Sequence, residues 1–482
     1  QRLAEFSPDG SMVAFVKENN IFTIDLNSLE EIQVTHDGTM NQIINGATDW
    51  VYEEEFGFSK GFFWSPKGNR IAYYKFDESK VKEFQMAMYG DLYPDQYTFK
   101  YPKAGETNSE VDIYIYDTND LVSKKVGVGT ERNQYIPRIQ WTKSNNELCV
   151  MRLNRLQNHL EFLLTDLSKK EPFEIGTKVI YEERTDTYIE INDNLIFLKD
   201  GVHFLWNSDQ DGYNHIYMCN LKEGSKRQIT TGEWDVIEFY GVSEDQGLIF
   251  FSSSQESAIE KHVYAKGLTN RTFKKLTDRK GTNDAVFSKG FKYFINYHSD
   301  ANTPSYITLN NSKGREIRVL KDNTRLKNKL VNYDLSQKEF FTFKNRNGND
   351  LNCWMIKPPN FDPTKKYPVY VNIYGGPGHN TVTDSWGGTS GMYHHLLSQK
   401  GYIVASVDPR GTMYRGKAFE HATYLQLGKL ETEDFIDFGN YMVDQAYVDG
   451  ERIGIQGWSY GGYMTSLCMT KGAEVYKMGI AV

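Results

Sequence analysis

The chain has 482 residues, more than one hydrophobic core usually serves, and its 39% hydrophobic and 24% charged content is that of folded rather than disordered protein. Its 63 acidic residues against 55 basic ones give a net charge of -8, with no Lys/Arg block to neutralise phosphates, which argues against nucleic acid as a partner. No apolar run approaches the roughly 18 residues a membrane span requires, and Gln1-Arg2-Leu3-Ala4 lacks the charged and apolar regions of a signal peptide, although a removed segment is compatible with such a start.

The 14% aromatic share, with 32 Tyr and 28 Phe, predicts a large β component. Cys149, Cys219, Cys353 and Cys468 are far apart, with no C-x-x-C pair and no His at ligand spacing, so the expectation is four buried thiols, with no zinc site and no disulfide framework. No metal and no cofactor is indicated.

In chain order, the first two thirds repeat one phrase: an aromatic, a small polar turn, an alternating strand, then a second strand and a Thr-containing turn. One copy runs Phe6-Ser7-Pro8-Asp9-Gly10, Asn20 to Leu26, then Val34-Thr35, and another has Trp64-Ser65-Pro66-Lys67-Gly68. His215-Ile216-Tyr217 leads to Ile229-Thr230, and His262-Val263-Tyr264 to Leu276-Thr277, a spacing of about 47 residues near the range of propeller blades. Each copy is a small sheet that buries its faces only by stacking on others, so a β-propeller over residues 1–330 is predicted, with an irregular β-sandwich as the alternative.

From about Asn332 the pattern changes. Cys353-Trp354-Met355-Ile356, Pro368 to Ile373, Ile403 to Val407 and Ile453-Gly454-Ile455 read as short buried strands. Between them lie helical stretches such as Thr432 to Ala446, where Phe435, Phe438, Tyr441 and Met442 recur at helical spacing behind an acidic first turn. Strand and helix in alternation predict a mostly parallel sheet, an α/β-hydrolase domain over residues 331–482.

Within it, Gly457-Trp458-Ser459-Tyr460-Gly461-Gly462 follows a strand and precedes a helix, the setting of a nucleophile elbow. The glycines permit a sharp turn that raises the Ser459 hydroxyl above the sheet and aims the Tyr460 N–H at a developing oxyanion. A Gly-rich turn with an incidental serine is the alternative. Ser459 needs a base, and in this fold the acid and the His follow the nucleophile in chain order. The 23 residues after Ser459 hold no His and no Asp, and His379, His394, His395 and His421 all precede it. Both parts therefore read as incomplete, a fragment of a longer enzyme whose triad Asp and His lie beyond Val482.

Tyr374, at the end of the strand before Gly375-Gly376-Pro377-Gly378, is placed either to donate to an oxyanion or simply to pack in its loop. Asp49-Trp50-Val51-Tyr52-Glu53-Glu54-Glu55-Phe56 sets three carboxylates between aromatics; such a triplet is either solvated surface or a site for a cationic group.

Together the acidic motif, Tyr374 to Gly378 and Gly457 to Gly462 resemble the dipeptidyl peptidase IV branch of the prolyl oligopeptidase family of serine peptidases, bacterial members above all. The likeness extends to Phe76-Asp77-Glu78-Ser79 and Asp408-Pro409-Arg410-Gly411-Thr412, with Met413 standing where relatives commonly have glycine. The resemblance implies that Glu54 and Glu55 bind the free α-amino group of a peptide and that Ser459 attacks the carbonyl after the second residue. It also implies an oxyanion hole of Tyr374 hydroxyl and Tyr460 N–H, a proline or alanine pocket walled by the Tyr460 ring, a homodimer, and a periplasmic or cell-surface location. An acylaminoacyl-peptidase-like or oligopeptidase-like relative, or a non-catalytic pseudopeptidase, is the alternative.

Overall fold

The computed structural model describes residues 1–169 and 174–482. They divide into two compact units, Gln1–Trp206 with Met218–Arg227, and Asn207–Tyr217 with Gln228–Val482. Among the described residues no helix is long and apolar enough to cross a membrane. All four cysteines are buried and free.

The front of the chain is a β-propeller of small antiparallel sheets. The first pairs Arg2–Phe6, Met12–Lys17, Asn20–Asp25 and Glu31–Gln33 in sequence order. In the second unit, Val236–Ser243, Leu248–Ser253, His262–Gly267 and Phe273–Lys275 repeat that order, as do four strands from Thr282 to Lys321.

The recurring Thr has a physical role that explains the repeat. In three of the phrases a buried Thr hydroxyl at the end accepts the N–H of a residue at the start of the third strand: Ile21 onto Thr35 at 2.9 Å, Ile216 onto Thr230 at 2.9 Å and Val263 onto Thr277 at 3.0 Å. Each bond satisfies a backbone donor that no sheet neighbour reaches. The predicted hairpin turn also forms: the Gly10 N–H donates to the Ser7 carbonyl, and Gly10 takes the positive φ of 72° that closes it.

The α/β-hydrolase part is built on one six-stranded sheet. Its strands are β1 (Lys338–Lys344), β2 (Asp350–Ile356), β3 (Tyr367–Ile373), β4 (Ile403–Val407), β5 (Val448–Gly457) and β6 (Met478–Ala481), in the order β1-β2-β4-β3-β5-β6. The pairs β1·β2 and β2·β4 are antiparallel, and the remaining three are parallel. Its helices are α1 (Gly388–Gln399), α2 (Leu430–Val443) and α3 (Tyr460–Lys471), joined by shorter turns. The stretch predicted as helical from Thr432 to Ala446 is α2, which ends earlier because the Gln445 N–H bonds to the carbonyl of Met442, three residues back, and tightens the last turn. Phe435, Phe438 and Met442 are fully buried, and the Tyr441 ring packs on Phe341 at 5.8 Å.

The acidic first turn of α2 is only partly solvated. Asp434 is fully buried and accepts from Asn345 Nδ2 at 2.7 Å and from Arg410 Nε and Nη2 at 3.0 and 2.8 Å. This pair ties the loop after β4 to α2. Replacing Asp434 with Ala leaves a largely buried guanidinium with only the more exposed Glu433 at 3.7 Å. The expected loss is about 3 kcal/mol of unfolding free energy, read as a lower midpoint in urea.

Candidate active site

Ile373, the last residue of β3, lies opposite Gly457, the last residue of β5. The chain then turns through Trp458 and Ser459 into α3. Ser459 has φ 57° and ψ -118°, a conformation an L-residue avoids, and both it and Trp458 are exposed. The turn closes because its glycines have no side chains: a Cβ on Gly457 would sit 2.3 Å from the Gly461 carbonyl oxygen, and one on Gly461 2.7 Å from that of Ile373. Gly461 N–H donates to the Trp458 carbonyl and Tyr463 N–H to that of Ser459, leaving the Tyr460 N–H in the first turn of α3, where helical donors lack intrahelical acceptors. The predicted sharp turn between β5 and α3 thus forms, with Ser459 exposed in it at positive φ.

The same close approach brings Tyr374 to the nucleophile's side. A Cβ on Gly461 would lie 3.2 Å from the Tyr374 Cα, and the Tyr374 ring lies 6.2 Å from that of Tyr460. Beyond Tyr374 the loop is fastened by side chains. Asn380 Oδ1 accepts the Met413 N–H at 2.8 Å while its Nδ2 donates to the Met413 carbonyl at 3.2 Å. Asp408, buried at the end of β4, accepts the Thr381 N–H, the Thr381 hydroxyl and the Val382 N–H at 2.7, 2.8 and 3.1 Å. Met413 is therefore held through its backbone.

The four upstream histidines have other neighbours. His379 packs its ring on Tyr374 at 4.6 Å, and burial holds its imidazole below the usual range. His394 and His395 lie on α1; burial and the nearby Lys338 ammonium lower both, His394 to about 4. His421 lies 3.3 Å from Asp209 and is also held at about 4, chiefly by burial.

In the first unit, the acidic motif forms a short helix, Trp50–Glu54, where the sequence suggested no element. Asp49 caps it, its Oδ1 accepting the Tyr52 N–H at 3.0 Å and its Oδ2 the Ser109 hydroxyl at 2.6 Å. Tyr52, 1% exposed, packs on Phe56 and Phe76, and its hydroxyl accepts the Ile136 N–H at 2.8 Å. Glu53, Glu54 and Glu55 are left exposed in a row. Partial burial and the neighbouring Glu54 charge push the Glu55 carboxyl above its ordinary value. The structure thus brings Ser459, Tyr460 and Tyr374 together in the second unit and presents Glu54 and Glu55 side by side in the first.

Residues 1–305 match the family described as Dipeptidyl peptidase IV (DPP IV) N-terminal region, and residues 389–482 the one described as Prolyl oligopeptidase family. The chain belongs to the dipeptidyl peptidase IV branch of the prolyl oligopeptidase family. It is similar to the crystal structure of Porphyromonas gingivalis dipeptidyl peptidase 4, with 42% identity and a TM-score of 0.93 over 99% of this chain and 67% of that one. Prolyl endopeptidase FAP of Mus musculus is 32% identical and that of Homo sapiens 31%, each over 99% of this chain and 65% of its own length. The chain thus spans about two thirds of the length of these relatives of the prolyl oligopeptidase family.

Asp408 gives the site a pH signature. Burial raises its carboxyl to about 6, against the hydrogen bonds from Thr381 and Val382. A carboxyl raised on folding adds stability that is fully present below its unfolded value of 3.8 and is lost as pH rises through about 6. The urea midpoint should therefore carry a falling contribution from about pH 4 to about pH 6 that Asp408→Asn removes. An unchanged slope in the variant refutes this assignment.

Proposed function

We propose that the whole protein to which these residues belong is a serine exopeptidase that releases N-terminal X-Pro or X-Ala dipeptides through an acyl-enzyme. The observation that carries this reading is the exposed Ser459, held at positive φ in a hydrolase elbow beside Tyr374, in a chain of the dipeptidyl peptidase IV branch.

In this reading residues 1–330 recognise the substrate's amino terminus and gate access to the site, and residues 331–482 carry the chemistry. Glu54 and Glu55 hold the peptide's ammonium group by charge-assisted hydrogen bonds. The Ser459 hydroxyl attacks the carbonyl after the second residue, its proton passing to the triad His that the resemblance implies. The oxyanion takes hydrogen bonds from the Tyr374 hydroxyl and the Tyr460 N–H, each donor worth about 3–4 kcal/mol in comparable sites. Counting residues from the amine makes the enzyme a dipeptidyl peptidase.

A second reading has one observation in its favour: the mammalian relatives at 31–32% identity are named prolyl endopeptidases. The two readings separate on whether the amine must be free.

The partner proposed besides peptides is a second copy of the chain. The hairpin of Glu83–Met88 and Asp95–Lys100 supports it by exposing Met86, Met88, Tyr89, Leu92 and Tyr93, an apolar set that monomers seldom leave to water. Export to the periplasm or cell surface belongs to the same proposal and is supported by the resemblance to bacterial members.

The test is cleavage of Gly-Pro-p-nitroanilide by the full-length protein, with Ser459→Ala as the inactive control. Glu54→Gln and Glu55→Gln should each lower kcat/KM about 10- to 100-fold, the loss of a hydrogen bond to a charged group. Unchanged activity in these variants, or equal cleavage of N-acylated substrates, counts against the exopeptidase and for the second reading.

A further inference from the structure

Glu431 is the second residue of α2 and is fully buried. A charge there gains from the helix N-terminus but still needs partners. Both its oxygens accept the Gly428 N–H, at 3.1 and 3.2 Å, and Oε1 accepts the Tyr460 hydroxyl at 2.6 Å. The last of these bonds spans 29 residues of sequence and reaches the residue directly after the nucleophile.

Tyr460 is consequently fixed at both ends. Its backbone is set by the elbow, and its hydroxyl is committed to the fully buried Glu431 carboxylate in a charge-assisted hydrogen bond. Burial and the Glu431 charge both hold the phenol protonated, as the donor in this bond. Between those ends the ring meets Tyr463 edge-on at 5.6 Å and is tilted by 47° against the Tyr374 ring at 6.2 Å, so it is held between two aromatics in the first turn after Ser459.

We propose that Glu431 is a positioning residue that holds the Tyr460 ring as a fixed wall of the pocket for the residue before the scissile bond, and that it thereby sets the preference for proline over alanine. The proposal rests on the peptidase reading. Proline fills such a pocket by flat contact with the ring, and contact of this kind falls off steeply with displacements of 0.5–1 Å. Alanine, which touches less of the wall, depends on it less. If Glu431 served only to fasten α2 to α3, its loss would weaken cleavage of both substrates alike.

The experiment uses the full-length protein with Gly-Pro- and Gly-Ala-p-nitroanilide and with N-acylated Gly-Pro-p-nitroanilide. Glu431→Leu should raise KM for Gly-Pro about 10-fold, with kcat and the Gly-Ala kinetics changed less than about 3-fold. Glu431→Gln, whose amide oxygen still accepts the phenol, should come within about 3-fold of wild type. Tyr460→Phe should raise KM for Gly-Pro by more than it raises KM for Gly-Ala, and the double variant should be no worse than either single one.

A native KM in a folded Glu431→Leu protein, equal losses on Pro and Ala substrates, or additive effects in the double variant overturn the proposal. Should Glu431→Leu fail to fold, the Pro-against-Ala contrast in Tyr460→Phe decides. Cleavage of the N-acylated substrate alone sinks the free-amine reading but leaves Glu431 to be judged by the Gly-Pro effect on that substrate. A protein that cleaves none of the three overturns both.

Discussion

Gly461 approaches the end of β3 so closely that a Cβ on it would lie 2.7 Å from the Ile373 carbonyl oxygen, and the geometry of the catalytic half depends on that contact. Because β3 and β5 are parallel and end opposite each other, their next residues emerge at the same edge of the sheet. The open crevice beyond strand ends is where parallel sheets place their sites. The packing of Gly461 then draws the start of α3 over the end of β3, which sets Tyr374 beside the nucleophile's turn. The positive φ of Ser459 is held by its backbone bonds: its N–H donates to the Val482 carbonyl at 2.7 Å and its carbonyl accepts the Tyr463 N–H at 3.1 Å.

Buried carboxylates do a second kind of work, joining segments that are distant in sequence. Asp434 holds Arg410 and Asn345, Asp408 holds the loop at Thr381 and Val382, and Glu431 holds Tyr460. In each case the acceptor is ionic and its donors come from other elements, so removing it strands several donors at once. Glu431 thereby reaches the elbow, Asp408 the loop that follows Tyr374, and Asp434 the loop after β4, so three loops are each fastened to a regular element or its end.

What the sequence made legible was what is local or periodic. The elbow is readable because its glycines, strand and helix are contiguous, and the repeat because the Thr recurs at a fixed distance from the strand it caps. The apolar face of α2 was likewise visible in the spacing of Phe435, Phe438 and Met442. The carboxylates of α2 were not. An acidic first turn has an ordinary explanation in the helix dipole, and nothing in the spacing of Glu431 or Asp434 shows that their partners are Tyr460 and Arg410. The helix Trp50–Glu54 escaped for the same reason, since at five residues it is too short for periodicity and owes its existence to Asp49, Ser109 and the backbone of Ile136.

That helix and the elbow solve one problem in two ways. An exposed residue lacks the packing that would keep it in place, and both segments carry exposed residues. At the elbow the remedy is a glycine two residues on, packed against backbone, which leaves Ser459 outside and its neighbour inside. In the acidic helix it is Tyr52, almost wholly buried under Phe56 and Phe76, with Glu54 and Glu55 two and three residues later on the solvent side. An isolated five-residue helix has no stability of its own in water. The order of the two carboxylates therefore comes from a buried phenol and a buried cap, so a substitution at Tyr52 or Asp49 acts on Glu54 and Glu55 through the short helix that carries them.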